Sequence, residues 1–403
     1  MLKFDYEAKD PKTGKHVRAV VQAESERAAA KLLMEQDLIP VNIIEQSKKG
    51  GILRQLSDRI STKDRVVFSR QLSTLISAGL PLTQSLHTVI EQTENKRLKS
   101  VVQDILTTVE SGSSLADAFS KHPEVFDKVF VALVKAGEAS GTLDKALERI
   151  ALQQEKDAEM MSKIRGALVY PVIVLVVIFA VLGFMLFTVV PQVEKLYHDL
   201  RQELPFITAI LVGAANFLIH YWWAVIIVVV AIGYFTKRYF ETEPGQKMKD
   251  SLKLNMPVFG ELFKKLYMAR FMRTGQTLMS TGVPMLDTLR ICAQAVNNTW
   301  VARSISRAAE KVKGGRSLAD SLEREDYIMP LVPQMLKIGE QSGQIDSMMG
   351  KTATVYENEL DSTIKSISTA IEPILMVVLA VVAGFIVAAI LLPIYQLVET
   401  VRV

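Results

Sequence analysis

The chain has 403 residues, of which 49% are hydrophobic and only 7% aromatic, and its 47 lysines and arginines against 43 aspartates and glutamates leave a net charge of +4. So small an excess, spread along the chain, makes no basic patch for nucleic acid. A single cysteine, Cys292, excludes an internal disulfide, and its place in a predicted helix marks it as a small buried hydrophobe.

Residues 1–47 read as a small α/β unit. Phe4-Asp5-Tyr6-Glu7-Ala8 alternates as a strand, Asp10 to Gly14 is rich in turn formers, and Val17 to Ala23 alternates again. Ser25 is placed to cap a helix through Gln36, and Ile39 to Ile44 resembles a third strand. Residues 48–66 are a linker, Lys48-Lys49-Gly50-Gly51, followed by an amphipathic helix carrying Ile52, Leu56 and Ile60. No apolar run of signal-peptide type occurs in the first 60 residues, so the chain is expected to start in the cytoplasm.

Residues 67–165 form a first helical module. Phe68, Leu72, Leu75 and Ile76 make one apolar face; Leu82, Leu86, Val89 and Ile90 a second; Val101, Val102, Ile105, Leu106 and Val109 a third. Gly79 ends the first helix and Pro81 starts the next. Ser111-Gly112 ends the third, Ser113 or Ser114 caps a short helix through Phe119, and another helix stops at Gly137. After Gly141 a last helix, with Leu143, Leu147 and Ile150, runs on into an apolar segment. Short connections at this spacing predict a bundle of about six helices.

Three stretches reach the ~20 apolar residues that a spanning helix needs. They are residues 166–190, 214–236 and 370–393. The middle run, Phe206 to Phe235, is too long for one crossing, so it either tilts or breaks near Tyr221-Trp222-Trp223, with residues 191–213 as an outer loop and interfacial segment. Lys156, Lys163 and Arg165 before the first span, Lys237 and Arg238 after the second and Lys365 before the third follow the positive-inside pattern. This puts both modules in the cytoplasm and the 394–403 tail outside.

Residues 237–369 repeat the first module. Gly79-Leu80-Pro81-Leu82 returns 203 positions on as Gly282-Val283-Pro284-Met285, and Gly112-Ser113-Ser114-Leu115-Ala116-Asp117 as Gly315-Arg316-Ser317-Leu318-Ala319-Asp320. Gly137-Glu138-Ala139-Ser140-Gly141 returns as Gly339-Glu340-Gln341-Ser342-Gly343 with the offset now 202, which also relates Pro171 and Pro191 to Pro373 and Pro393. The fold class is therefore an all-α membrane protein: two tandem cytoplasmic modules, each leading into a transmembrane helix, one connecting span, and the small N-terminal unit.

No Gly-x4-Gly-Lys-Ser/Thr, His-Glu-x-x-His, Cys-x-x-Cys or Gly-x-Ser-x-Gly motif is present, and the five histidines stand apart. No catalytic, cofactor or metal residue is assigned. Glu138 and Glu340 have two readings: caps that accept hydrogen bonds from the next helix's first N–H groups, or contacts for a partner. Glu372, at a membrane boundary, either anchors there, pairing with Lys365 two turns earlier, or grips a translocated helix. Ala380, Gly384 and Ala388 form a small-x3-small stripe suited to close helix packing.

These duplicated Gly-x-Pro, Gly-x-Ser-Leu-Ala-Asp and Gly-Glu-x-Ser-Gly motifs, with the Tyr170-Pro171 and Glu372-Pro373 span entries, resemble the type II secretion F-protein and type IV pilus inner-membrane platform family over nearly the whole chain. The resemblance implies a non-enzymatic scaffold of the bacterial inner membrane that is homo-oligomeric. Its partners would be a hexameric motor ATPase, pilin or pseudopilin subunits and other inner-membrane assembly proteins. An oligomeric secondary transporter built on a parallel repeat is the alternative. It would need paired polar groups inside both repeats, and Tyr170 stands opposite Glu372.

Overall fold

A computed structural model describes residues 2–9, 16–23, 26–35, 39–45, 59–199, 206–257 and 259–401. The turn expected at Asp10 to Gly14, the Ser25 cap, the Lys48–Gly51 linker, and Ile52 and Leu56 lie outside them, while Ile60, expected on the same amphipathic helix, lies before the first turn of the helix that starts at Thr62. Contacts divide the chain into one unit of residues 1–61 with 94–100 and a second holding the rest.

In the first unit, β1 (Leu2–Lys9), β2 (His16–Ala23) and β3 (Ile39–Glu45) form an antiparallel sheet in the order β2-β1-β3, with α1 (Glu26–Glu35) between β2 and β3. Tyr6 lies opposite both Ala19 and Ile43. The β1–β3 register jumps between Glu7 and Ala8, from Asn42 to Pro40. Pro40 has no N–H to give the ladder, and a break at the sheet edge is where proline is tolerated.

The second unit is helical among the described residues. Its first half comprises α2 (Thr62–Ser77), α3 (Leu82–Gln92), α4 (Lys96–Glu110, whose residues 96–100 fall in the first unit), α5 (Leu115–Ser120), α6 (Lys128–Ser140) and α7 (Leu143–Phe184). A π-helical turn at Met185–Val189 leads into α8 (Val190–Asp199) and then α9 (Phe206–Phe240). After α10 (Glu243–Asn255) come α11 (Phe259–Ser280), α12 (Met285–Ala295), α13 (Thr299–Lys313), α14 (Leu318–Leu322), α15 (Leu331–Ser342) and α16 (Ile345–Val401).

Local chemistry sets the ends. Ser114 and Ser317 accept hydrogen bonds from the Asp117 and Asp320 amides, and Asn298 caps α13 through Trp300 and Val301. Gly141 and Gly343 end α6 and α15 at φ 69° and 71°, the left-handed conformation that glycine takes without a Cβ penalty. Gly137 and Gly339 are not stops, contrary to the sequence reading. Both sit inside their helices because the next helix folds back against them: a Cβ on Gly137 would lie 2.5 Å from the Ala146 Cβ, and one on Gly339 2.9 Å from the Ile345 Cα.

Among the described residues, three helices are long and apolar enough to cross a membrane. The first runs without interruption from Leu143 to Asp199 across the π-turn, and Pro191 does not end it. Proline lacks the N–H that would reach back to residue 187, and the wider turn just before it absorbs the missing bond. The middle run does break at Tyr221, where φ is −115° and ψ 22°. The ~19 residues after the break measure about 28 Å, close to the thickness of a hydrocarbon core. Before it, Val212 and Ala215 bury against Val190, and Asn216 Nδ2 donates to Glu194 Oε1 at 3.1 Å.

Candidate functional site

The duplicated sequence motifs meet each other in space. Glu138, near the end of α6, reaches back to the start of α5: its Oε1 accepts from the Leu115 amide at 2.9 Å and its Oε2 from the Ala116 amide at 3.1 Å. Glu340 does the same for α14, accepting from Leu318 at 2.5 Å and Ala319 at 3.2 Å. With the serine caps, three orphan N–H groups of each short helix are satisfied, and a carboxylate sits at the positive end of the local dipole. The capped helix is the preceding one, not the next. The following helix begins beyond a left-handed glycine. Ser140 and Ser342 hydroxyls turn inward, donating to the carbonyls of Ala136 and Ile338.

A second pair of equivalent contacts escaped the sequence reading. Arg70 on α2 clamps Glu155 on α7, with Nε 2.6 Å from Oε1 and Nη2 on Oε2. Arg273 on α11 clamps Glu357 on α16 through Nε at 2.9 Å and Nη2 at 2.8 Å. Each fork ties the helix before a Gly-x-Pro turn to the long helix that carries the apolar segment of that half. Hydrogen bonding to Arg70 holds the Glu155 carboxyl below its usual range. Applying the 203 and 202 offsets to charged residues as well as to glycines would have found both.

A third equivalent position exchanges chemistry. His122 Nε2 lies 2.8 Å from Asp104 Oδ2 in the first half. Shifted by 203, the same places hold Glu325 and Arg307, paired at 2.5 Å, with Lys311 at 2.8 Å on the other carboxylate oxygen. The Glu325 side chain is only 4% exposed. Burial alone would raise its carboxyl, but the hydrogen bonds from Arg307 and Lys311 outweigh that and hold it low.

The two halves pack through α6 and α7 against α11, α12 and α16. Met160 sits with Leu262, Leu266, Leu360, Ile364 and Ile367 in one apolar cluster. Gln153 Nε2 donates to Thr274 Oγ1 at 2.9 Å, Arg149 Nη1 to Ser280 Oγ at 2.5 Å, and Lys163 Nζ to Asp361 Oδ2 at 2.7 Å. Asp157 lies 3.8 Å from Arg270 Nε. These two residues and Gln153 line a cavity of about 60 Å3 in which Gln153 Oε1 and Arg270 Nε have no hydrogen-bond partner. The space is large enough for water, which would complete both groups.

Glu372, at the edge of the third apolar segment, is exposed and makes no ion pair or hydrogen bond among the described residues. Lys365 does not reach it, since seven residues along a helix are about 10 Å. Ala380 and Gly384 are exposed, and a Cβ on Gly384 would meet nothing within 4 Å, so the small-residue stripe is not used to pack helices inside the chain. Among the described residues, no three His, Cys, Asp or Glu side chains are grouped to hold a metal.

A family model described as type II secretion system protein F matches twice, over residues 68–191 and 271–393, and a model of that protein's N-terminal domain matches residues 1–44. The chain belongs to the type II secretion system protein F family. It is 37% identical to a type IV pilus assembly protein, PilC, of Thermus thermophilus over 99% of both chains. Identity to a type II secretion system protein F of Vibrio cholerae is 33% over 98% of both, and to a PilC of Myxococcus xanthus 36% over 98% of this chain and 94% of that one. The two F-family matches start two residues before each clamping arginine, at Phe68 and Phe271, and end at Pro191 and Pro393. Each holds one capping glutamate, one clamp and one apolar helix, and the Tyr221 break falls in neither.

Proposed function

We propose that this protein is the inner-membrane platform of a type IV pilus or type II secretion machine, coupling a cytoplasmic motor ATPase to the assembly of pilin or pseudopilin subunits. Membership of the F family and its three apolar helices support an inner-membrane protein. The observation that carries the coupling is mechanical continuity. Each half delivers its bundle into one unbroken helix, Leu143 to Asp199 and Ile345 to Val401, and a bidentate arginine–glutamate fork pins that helix to the first helix of the half. A push on either bundle is thereby carried along a stiff rod into the bilayer.

In this reading two tandem equivalent modules lie in the cytoplasm with the N-terminal unit, the C-terminal tail lies in the periplasm, and the chain performs no reaction of its own. The motor-facing surface is built around the Gly-Glu-x-Ser-Gly turns of both modules. Glu138 and Glu340 shape that surface through the short helices they cap, and Glu372, exposed and unpaired at the bilayer edge, is offered to the pilin helix. The transporter alternative is not favoured, because it would need paired polar groups in both repeat helices and Tyr170 stands where the second has Glu372.

In-cell cross-linking followed by purification in mild detergent tests the proposal. A hexameric ATPase and a pilin-like subunit should come with the chain. Recovery of the chain without either, together with solute uptake that depends on it, would refute the platform reading.

A further inference from the structure

The pairing between the two halves is not reciprocal. The first half presents Arg149, Gln153, Met160 and Lys163 along α7, and the second receives them with Ser280, Thr274 and Leu266 on α11 and Asp361 on α16. Shifted by the repeat offsets, the presenting face recurs on α16 as Lys351, Val355 and Ser362. The receiving face recurs as Gln71 and Ser77 on α2 with Glu159 on α7. Neither recurrence is buried: Lys351, Val355, Ser362, Ser77 and Glu159 are exposed and Gln71 is half-buried, although Gln71 Nε2 donates to Gln92 Oε1 at 3.0 Å and Glu159 pairs with Lys163 and Lys156 on its own helix. Val355 is 39% exposed and Val67, on the same side of α2, 43%, whereas Leu266 and Thr277 on the receiving face are 3% and 7%. On α16 the uncovered face opens as a groove of about 710 Å3, lined by Val355, Asn358, Glu359, Ser362 and Ser366 with Lys265 of α11.

Two unlike faces that pair make a head-to-tail contact, and such a contact with both of its ends free propagates. We propose that a second copy of this chain sets its α2 face, Gln71 and Ser77 with Glu159, into the α16 groove, repeating between chains the pairing already made within one. The charges keep their signs under the shift. Lys163 on Asp361 within the chain becomes Lys365 on Glu159 of the next copy. Arg149 on the Ser280 hydroxyl becomes Lys351 on Ser77. Lys351 and Lys365 have no side-chain partner among the described residues, and both are exposed.

The contact between copies is the looser of the two, since Met160 and Leu266 are replaced under the shift by Ser362 and Lys63. Its direction is also set. Lys163 meets Asp361, and one turn further on Ala167 shares a groove with Lys365 and Ser368, so α7 and α16 run parallel. Copies added in this sense stand upright in one membrane, related by an axis along the bilayer normal. None of this depends on what the machine moves, and its failure would leave the platform reading intact.

Disulfide trapping in membranes tests the proposal. Cys292 is fully buried and its thiol is pushed far above the usual range, so the parent chain gives no background. Ser77→Cys and Lys351→Cys in one chain should give, on mild oxidation, a ladder of covalent dimers and higher species, while neither single variant cross-links. A double variant that melts like the parent yet stays monomeric would overturn the proposal. So would a covalent dimer from Lys351→Cys alone, which would mean a two-fold contact. Independently, Lys365→Glu should lower the oligomer mass in mild detergent, and adding Glu159→Lys should restore it; a double variant no larger than the single one would also overturn it.

Discussion

Removing the Glu340 carboxylate separates its role as a cap from that of a partner contact. In Glu340→Ala the Leu318 and Ala319 amides lose charged acceptors at 2.5 and 3.2 Å. A hydrogen bond to a charged group contributes about 1.5–3 kcal/mol. Water reaches this half-buried site and replaces part of that, so the net loss for the two bonds is about 2–3 kcal/mol. At about 2–4 °C per kcal/mol for a domain of this size, the apparent melting temperature of the detergent-purified chain should fall by roughly 5–10 °C. Glu340→Gln keeps one neutral acceptor and should recover about half the loss. Thermal unfolding of the three proteins, read beside co-purification of the motor ATPase, gives the answer. An Ala variant that melts with the parent while losing the ATPase would refute the capping account and make Glu340 a direct contact.

Four other outcomes follow from the geometry. Gly339→Ala, and Gly137→Ala in the first half, should each destabilise by about 1–3 kcal/mol through overpacking, seen as a lower melting temperature with an unchanged helix signal. Arg273→Glu should destabilise and Arg273→Glu with Glu357→Arg should recover most of the loss, whereas Arg307→Lys, facing an already doubly paired carboxylate, should cost less. Tyr356→Phe should leave stability unchanged or raise it by up to about 1 kcal/mol, because the Tyr356 hydroxyl is buried with no partner. The Glu325 carboxyl titrates lower in the folded than in the unfolded chain. Its stabilisation is therefore full above the ordinary glutamate value of about 4.3 and is lost as pH falls through the lower folded value. Between those two values the parent's melting temperature should fall more steeply with pH than that of Glu325→Gln; equal slopes would refute this account of the Arg307–Glu325–Lys311 cluster.

Features that depend on neighbours along the chain were legible without coordinates. Apolar periodicity pointed to the helices, run length to three apolar segments, and a serine at 113 or 114 to a cap, because a serine before a helix can reach only the amides two or three residues on; the structure uses Ser114, and Ser317 in the repeat. The repeat itself was visible in Gly-x-Pro and Gly-Glu-x-Ser-Gly, since left-handed turns and close approaches tolerate almost nothing but glycine. The same spacing misled at Gly137 and Gly339, because a glycine that ends a helix and one that lets another helix cross it look alike in one dimension.

Tertiary structure decided which groups answer one another. Glu138 reaches amides 22 and 23 residues earlier, and Arg70 a carboxylate 85 residues away. No periodicity specifies such pairs, because they are set by how folded helices lie side by side. Nor could the duplication reveal that its halves meet through unlike faces. Two similar modules in one chain can pair symmetrically or head to tail, and the choice falls to side chains such as Met160 and Leu266, apolar where the halves touch, against Ser362 and Lys63 where they do not.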